Sequence, residues 1–149
     1  MATNSVSLHR VLKAPPEKIY RAFTEDIAMA SWIPPYGFLC IVHSMDVKQG
    51  GNYRMSFVNF STGNRHSFGG TYLEMIPNEF IKYTDKFEDP NLPGEMITSV
   101  WIKMVSCGTE LKITQEGIPS VIPTEMCYLG WQESLDKLKK LVEPEIPDA

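Results

Sequence analysis

Hydrophobic and polar positions alternate along most of the chain, which is the pattern of β-strands with one buried face. In residues 3–12, Val6, Leu8 and Leu12 fall on one side of the pattern, and Arg10 lies on that same side. The alternation recurs in six later segments, which are separated by turns rich in Gly, Pro, Asn and Asp. We therefore predict seven strands, over residues 3–12, 38–45, 52–60, 65–76, 79–87, 95–105 and 109–115.

Three segments show helical spacing instead. Residues 16–24 follow a proline pair that suits a first helical turn, and a second short helix is predicted over residues 26–32. The last segment runs from about residue 124 to Pro144. It carries an apolar stripe at the spacing of one helix face, formed by Tyr128, Trp131, Leu135, Leu138 and Val142.

The order of these elements predicts an α+β fold. Short turns make consecutive strands neighbours, which gives an antiparallel meander, and a sheet of twisted strands curls. The long helix must bury its stripe against the largest apolar surface available, the concave face of the sheet. We therefore predict a single domain over residues 1–149: a curved antiparallel sheet of about seven strands gripping a long C-terminal helix, with two short helices after the first strand.

Composition and charge narrow the classes of function. The 149 residues are 43% hydrophobic with a net charge of −4, which is typical of a globular protein and argues against binding to nucleic acid phosphates. The longest apolar run, residues 38–42, is far shorter than the ~20 residues of a membrane span, and residues 1–5 do not resemble a signal peptide. The three cysteines form no close pair, which predicts free thiols and a cytoplasmic location.

Several short motifs in the chain carry a family resemblance through their order and spacing. They are residues 14–23, Trp32, Gly50-Gly51-Asn52-Tyr53-Arg54, Gly70-Thr71-Tyr72-Leu73-Glu74, Pro77, Gly108-Thr109-Glu110-Leu111 and Gly130-Trp131. Together they resemble the START-like helix-grip superfamily (SRPBCC), and within it the branch named for the activator of heat-shock-protein-90 ATPase homologue. The resemblance implies a helix-grip fold with an internal cavity. Members bind lipids, sterols, polyketides and other hydrophobic small molecules, cyclise or hydrolyse them, or partner a chaperone.

The candidate ligand-binding residues are the rings, methionines and aliphatic side chains that face the predicted space between sheet and helix. Each of them alone fits an ordinary core, but together they favour a lined pocket, because wide rings and flexible Met side chains suit irregular apolar ligands. They are Trp32, Tyr53, Met55, Phe57, His66, Phe68, Tyr72, Val100, Ile102, Met104, Tyr128 and Trp131. Arg10 is either an anchor for an anionic or carbonyl head group or an edge arginine that extends into solvent.

These residues predict binding of a hydrophobic or amphipathic small molecule, without a cofactor. One alternative is a polyketide cyclase- or hydrolase-like enzyme in which His66, with Glu74 or Asp85, moves protons. Another is a module that regulates a chaperone ATPase. A strand surface carrying Trp101 and Tyr83, which we place opposite the pocket, would then serve a protein partner or a homodimer.

Metal binding and nucleophilic catalysis have little support in the sequence. His9, His43 and His66 are scattered, and no His or Cys pair has the spacing of metal ligands. Cys40 and Cys127 lie in apolar surroundings, which favours inert packing over a reactive thiol.

Overall fold

A computed structural model of the chain describes residues 4–148, and it confirms the predicted fold class. Thr3, the first residue of the predicted first strand, lies outside the described residues. The elements are β1 (Val6–Leu12), α1 (Pro16–Thr24), α2 (Asp26–Trp32), β2 (Phe38–Met45), β3 (Asn52–Asn59), β4 (Arg65–Ile76), β5 (Phe80–Phe87), β6 (Met96–Val105), β7 (Gly108–Glu116) and α3 (Thr124–Val142).

The seven strands form a curled antiparallel sheet in the order β1-β7-β6-β5-β4-β3-β2. Strands β2 to β7 are a meander, and β1 pairs with β7 at the far edge. The register places Val100 of β6 between Ile81 of β5 and Ile113 of β7, and all three side chains are buried on the concave face. A register shift in β2 and another in β4 mark bulges, which bend the strands that carry them.

The two short helices form one packed unit beside the sheet. Proline at the start of α1 needs no hydrogen-bond acceptor for a backbone N–H, and the helix buries Ile19, Ala22 and Phe23. Trp32 at the end of α2 is fully buried, and its Nε1–H donates to the Ala22 carbonyl oxygen over 2.8 Å. The Trp32 ring also meets the Phe23 ring edge-on, with centroids 4.8 Å apart. These contacts fix α2 against α1.

The long helix α3 buries Trp131, Leu135, Leu138 and Val142, as predicted, but Tyr128 is 41% exposed. The half-buried residue in the turn before Trp131 is Cys127. Since each helical residue turns by ~100°, a stripe that passes through Cys127 carries Tyr128 away from the sheet. The placement of Tyr128 on the buried stripe was therefore wrong by one position.

The C-terminal half of α3 is held close to β1 and the short helices. Arg10 Nη1 donates to Asp136 Oδ1 over 3.2 Å, Ser134 Oγ donates to the Ile33 carbonyl oxygen over 2.7 Å, and Lys137 Nζ donates to the Pro34 carbonyl oxygen over 2.8 Å. The strands β3, β4 and β5 lie farther from the helix, and the space above them remains unfilled. Between residues 4 and 148, none of the helices is both long and apolar enough to cross a bilayer.

Candidate functional site

A cavity of about 180 Å³ lies between the N-terminal half of α3 and the concave face of β3 to β5. Six of its lining residues are aromatic, three are methionines and one is a cysteine. The lining residues are Met29, Ile33, Pro35, Tyr53, Met55, Phe57, Phe68, Tyr83, Asp85, Phe87, Met96, Gln115, Cys127, Gly130, Trp131 and Ser134.

The aromatic wall follows from strand register. Tyr53 and Tyr83 line the wall, and Tyr72, on the strand between them, is buried beside both, with the three ring centroids 5.6 to 6.3 Å apart. Phe57 meets the Phe68 ring edge-on at 4.8 Å. Such edge-on and tilted ring pairs stabilise a sheet surface beyond the area that they bury.

A glycine on β4 makes this arrangement sterically possible. Gly70 pairs with Tyr53 in the register, and a Cβ atom there would lie 1.9 Å from the Thr84 carbonyl oxygen. The Tyr53 hydroxyl donates to that same carbonyl oxygen over 2.9 Å. Close approach of β4 to β5 at this point therefore needs glycine.

Asp85 is the charged residue of the cavity wall. It lies two residues after Tyr83 on the same face of β5, and its Oδ1 atom is buried without a hydrogen-bond partner, alone among the side-chain polar atoms of residues 4–148. Burial raises the pKa of Asp85 from 3.8 to about 7, and the nearby polar groups, the Tyr53 hydroxyl and the Lys86 N–H, offset only part of that rise. The carboxyl group therefore changes charge near neutral pH.

The other buried polar groups at the floor of the cavity are satisfied. Trp131 Nε1–H donates to Gln115 Oε1 over 3.1 Å, and Gln115 Nε2 donates to Thr98 Oγ1 over 3.2 Å. This chain of hydrogen bonds ties α3 to β7 and β6. Burial, together with the nearby Asp85 carboxyl, raises the pKa of Tyr83, so its phenol stays protonated at neutral pH.

The thiols near the cavity are poor nucleophiles. Burial raises the pKa of Cys127, and it raises the pKa of Cys40 to about 11. A thiol must ionise to attack, so these residues are chemically quiet at neutral pH. In the described part of the chain, no three His, Cys, Asp or Glu side chains cluster in a way that could hold a metal ion.

Five of the expected ligand-binding residues lie in the cavity wall: Tyr53, Met55, Phe57, Phe68 and Trp131. Four others are buried outside the wall: Trp32, Tyr72, Val100 and Ile102. Val100 and Ile102 belong to β6, which α1 covers, and Trp32 is enclosed by the two short helices.

Four expected ligand-binding residues are partly or largely exposed and lie outside the wall. Arg10 is held by Asp136 at the rim of α3, and Tyr128 points away from the sheet. Met104 is 71% exposed near the end of β6, and His66 is exposed at the start of β4, although it pairs with Phe57 in the register.

The structure corrects the predicted sheet faces of Tyr83 and Glu74. Tyr83 is buried and lines the cavity, whereas Trp101 faces the opposite side of the sheet, where its ring is 5.5 Å from that of Phe80. The bulge after Tyr72 sets Glu74 opposite Lys82, so Glu74 does not share the face of His66 as its parity suggests. An extra residue in one strand reverses which face the following side chains take.

The sequence held a signal for several wall residues that we did not select. Alternation from Ile81 leads through Tyr83 to Asp85 and Phe87, and alternation along β7 leads to Gln115. Asp85 entered the sequence analysis only as a partner for His66. The remaining missed residues lie on α2, the loop after it, β6 and α3, and they depend on how the helices dock: Met29, Ile33, Pro35, Met96, Cys127, Gly130 and Ser134.

Comparisons with known proteins agree with this fold. A structure from Chromobacterium violaceum is 55% identical, covers 95% of this chain and 99% of that one, and superposes with a TM-score of 0.94. Two more distant structures share the fold. One, from Rhodobacter sphaeroides, is 17% identical, covers 92% of this chain and 90% of that one, and has a TM-score of 0.82. The other, from Nitrosomonas europaea, is 20% identical, covers 92% of each chain, and has a TM-score of 0.76. No curated protein matches the chain.

The family comparison covers almost all of the described elements. Residues 13–143 match the family described as "Activator of Hsp90 ATPase homolog 1-like protein", and this span includes α1, α2, α3 and six of the seven strands. The match agrees with the resemblance that the motifs carry. The chain therefore belongs to the family of proteins like the activator of Hsp90 ATPase homolog 1.

Proposed function

We propose that this protein binds a small hydrophobic or amphipathic molecule in the cavity between α3 and the sheet. The observation that carries the proposal is the cavity itself, about 180 Å³ in volume with mostly apolar and aromatic walls. Apolar space of that size costs at most on the order of 4 kcal/mol when it is enclosed and dry, at ~24 cal/mol per Å³. That is a large part of a typical stability of ~5–15 kcal/mol, so an occupant would offset a substantial penalty.

The cavity volume favours a ligand with one or two rings. An apolar protein cavity of ~150 Å³ is known to hold a benzene molecule, so about 180 Å³ suits a molecule only somewhat larger. A sterol or a two-chain lipid would require the walls to move apart. Within the ligands known for this superfamily, the geometry thus supports a small aromatic compound better than a lipid.

Binding of propylbenzene, a neutral aromatic probe, tests the proposal. The indole N–H of Trp131 reports on the cavity directly, because the ring lines the wall and its Nε1 is hydrogen-bonded there. We expect propylbenzene to shift the Trp131 indole resonance in a ¹⁵N–¹H spectrum in a saturable manner. Mass spectrometry of the native protein, as purified, would add the mass of a retained ligand.

Gly130 offers a matched pair of control variants. It lines the cavity, and a Cβ atom there would have no neighbour within 4 Å. Gly130→Phe therefore fills the cavity and should abolish the saturable shift, whereas Gly130→Ala should keep it. Saturable binding that survives Gly130→Phe unchanged would place the probe elsewhere and contradict the proposal.

An enzyme is the second candidate, and Asp85 favours it. A carboxyl group in a cavity with a pKa of about 7 can accept or donate a proton at neutral pH, which is the requirement for general acid–base catalysis. We assign this role to Asp85, since His66 and Glu74 are exposed and lie outside the cavity wall. A cyclase or hydrolase activity on small aromatic substrates should then fall at least ~100-fold in Asp85→Asn. A rate that Asp85→Asn leaves unchanged would contradict the assignment.

The partner and location predictions remain untested. Regulation of a chaperone ATPase comes from the family description, and adding the purified chain to an Hsp90 ATPase assay would test it. The Phe80–Trp101 pair on the convex face offers an apolar surface for a protein partner or a second copy. The single-domain organisation and the cytoplasmic location likewise stay predictions.

A further inference from the structure

We infer that the ligand of this cavity carries a small ammonium group, which binds to the Asp85 carboxylate within the aromatic wall. The inference rests on the proposed function, since it assigns a chemical class to the molecule that the cavity is proposed to hold. Three features of the wall support it: an unused hydrogen-bond acceptor, a missing counter-charge and a ring of π faces.

The unused acceptor is Asp85 Oδ1. Buried polar atoms in folded proteins nearly always have a hydrogen-bond partner, so a buried carboxylate oxygen without one points to a missing donor. Two nearby donors are directed elsewhere, because the Tyr53 hydroxyl donates to Thr84 and the Trp131 indole N–H donates to Gln115. The Gln115 amide in turn donates to Thr98. A donor carried by the ligand would complete this set.

The missing counter-charge is the second feature. The titratable groups around Asp85 are Tyr53 on β3, Tyr72 on β4, Tyr83 on β5 and Cys127 on α3, and burial keeps all four neutral at pH 7 by raising their pKa values. No Lys, Arg or His of the described chain lines the cavity. An ionised Asp85 therefore has no cation beside it in the cavity wall to offset the desolvation that raises its pKa to about 7. A bound cation would supply the charge.

The aromatic wall is the third feature. Six rings line the cavity: Tyr53, Phe57, Phe68, Tyr83, Phe87 and Trp131. Ring faces carry negative potential and attract ammonium groups, most strongly where water is excluded. The same faces and the carboxylate would repel an anion. A carboxylate surrounded by rings thus favours a small aryl- or alkyl-ammonium ion over neutral or acidic ligands of the same size.

A protonated Asp85 could instead donate to a ligand carbonyl, and the two cases differ in their pH dependence. Ammonium binding needs the carboxylate, so affinity should rise about tenfold from pH 6 to pH 8 as Asp85 ionises around its pKa of about 7. The amine itself stays protonated over that range, since its pKa resembles the ~10 of a lysine side chain. Carbonyl binding would weaken over the same interval.

The experiment compares 2-phenylethylammonium with propylbenzene, its uncharged counterpart of similar shape, by titration of the Trp131 indole resonance at pH 6 and pH 8. We expect the ammonium ion to bind at least tenfold more tightly than propylbenzene at pH 8, and to lose that advantage at pH 6. Asp85→Asn should remove the preference while propylbenzene still binds. Asp46→Asn, which removes an exposed charge outside the wall, should change neither affinity.

The outcomes separate the inference from the function on which it rests. Propylbenzene binding without a preference for the ammonium ion, or a preference that Asp85→Asn leaves intact, would overturn the inference and leave the proposed function standing. Binding of neither probe at either pH would overturn both. The pH dependence of the unaltered protein decides the question even if Asp85→Asn fails to fold.

Discussion

Replacing Asp85 by Asn should change how the stability of the protein depends on pH. The substitution keeps the shape of the side chain and removes its ionisation. Because the pKa of Asp85 in the folded chain, about 7, lies above the ordinary 3.8 of an unfolded chain, the folded state holds this proton over a wider pH range. The stabilisation is therefore complete below pH 3.8 and is lost as the pH rises to about 7.

The magnitude follows from the size of the shift. Each pKa unit corresponds to ~1.4 kcal/mol, so between pH 5 and the folded pKa the original protein should lose roughly 3 kcal/mol of unfolding free energy relative to Asp85→Asn. Above pH 7 the difference should stay constant. Other titrating groups are present in both proteins, so their contributions cancel in the difference.

Urea unfolding of both proteins between pH 5 and pH 8.5 measures this difference, and ¹³C NMR of the Asp85 carboxyl gives its pKa independently. We expect the stability of Asp85→Asn relative to the original protein to increase steadily up to about pH 7. A difference that stays constant within ~0.5 kcal/mol would mean that water reaches the carboxylate freely, which would refute the reasoning from its burial.

Three further predictions concern packing, the rim and the thiols. Gly70→Ala should lower the free energy of unfolding, measured in urea, by about 3 kcal/mol or more, because the new Cβ would lie 1.9 Å from a backbone oxygen. Gly130→Ala should raise that free energy by ~0.5–1 kcal/mol, because alanine favours the helix and its Cβ meets open space. Arg10→Ala should lose at most ~1 kcal/mol by the same measurement and leave propylbenzene binding intact, because its ion pair is partly exposed at the rim, outside the cavity wall. Iodoacetamide at pH 8 should modify exposed Cys107 at least ~100-fold faster than Cys40, as read by peptide mass spectrometry, because burial raises the pKa of Cys40 to about 11. Equal effects of the two glycine substitutions would contradict the packing prediction, and a loss of propylbenzene binding in Arg10→Ala would contradict the prediction for the rim. Comparable modification rates of Cys107 and Cys40 would contradict the prediction for the thiols.

Much of the fold was predictable because most strands bury one face. Alternating apolar residues indicate directly which side chains are buried on the concave face. Examples are Val6, Leu8 and Leu12 in β1 and Leu111 and Ile113 in β7. Proline pairs and glycine turns then set most element ends within one or two residues of the observed bounds. Such local signals need no knowledge of the rest of the molecule.

The site was less predictable, since it depends on how distant elements meet. A rotation of α3 by one residue decides whether Cys127 or Tyr128 faces the sheet, and the bulge after Tyr72 moves Glu74 to the outer face. That Asp85 Oδ1 lacks a hydrogen-bond partner is visible only in the folded structure, where the nearby Tyr53 hydroxyl donates to Thr84 instead. Parity alone places Asp85 on the inner face but says nothing of its lack of a partner.

The uneven attachment of α3 affects how a ligand would enter the cavity. Arg10, Ser134 and Lys137 fasten the helix toward its C-terminal half, while the turns around Cys127 and Gly130 form the roof over the cavity. The first turns of α3 therefore cover the cavity with fewer of these anchoring contacts than the C-terminal half has, although the bond from Trp131 to Gln115 still ties them to the sheet. Since weakly held segments open locally at the lowest cost in free energy, we expect a ligand to enter by local opening of these turns while the sheet stays folded.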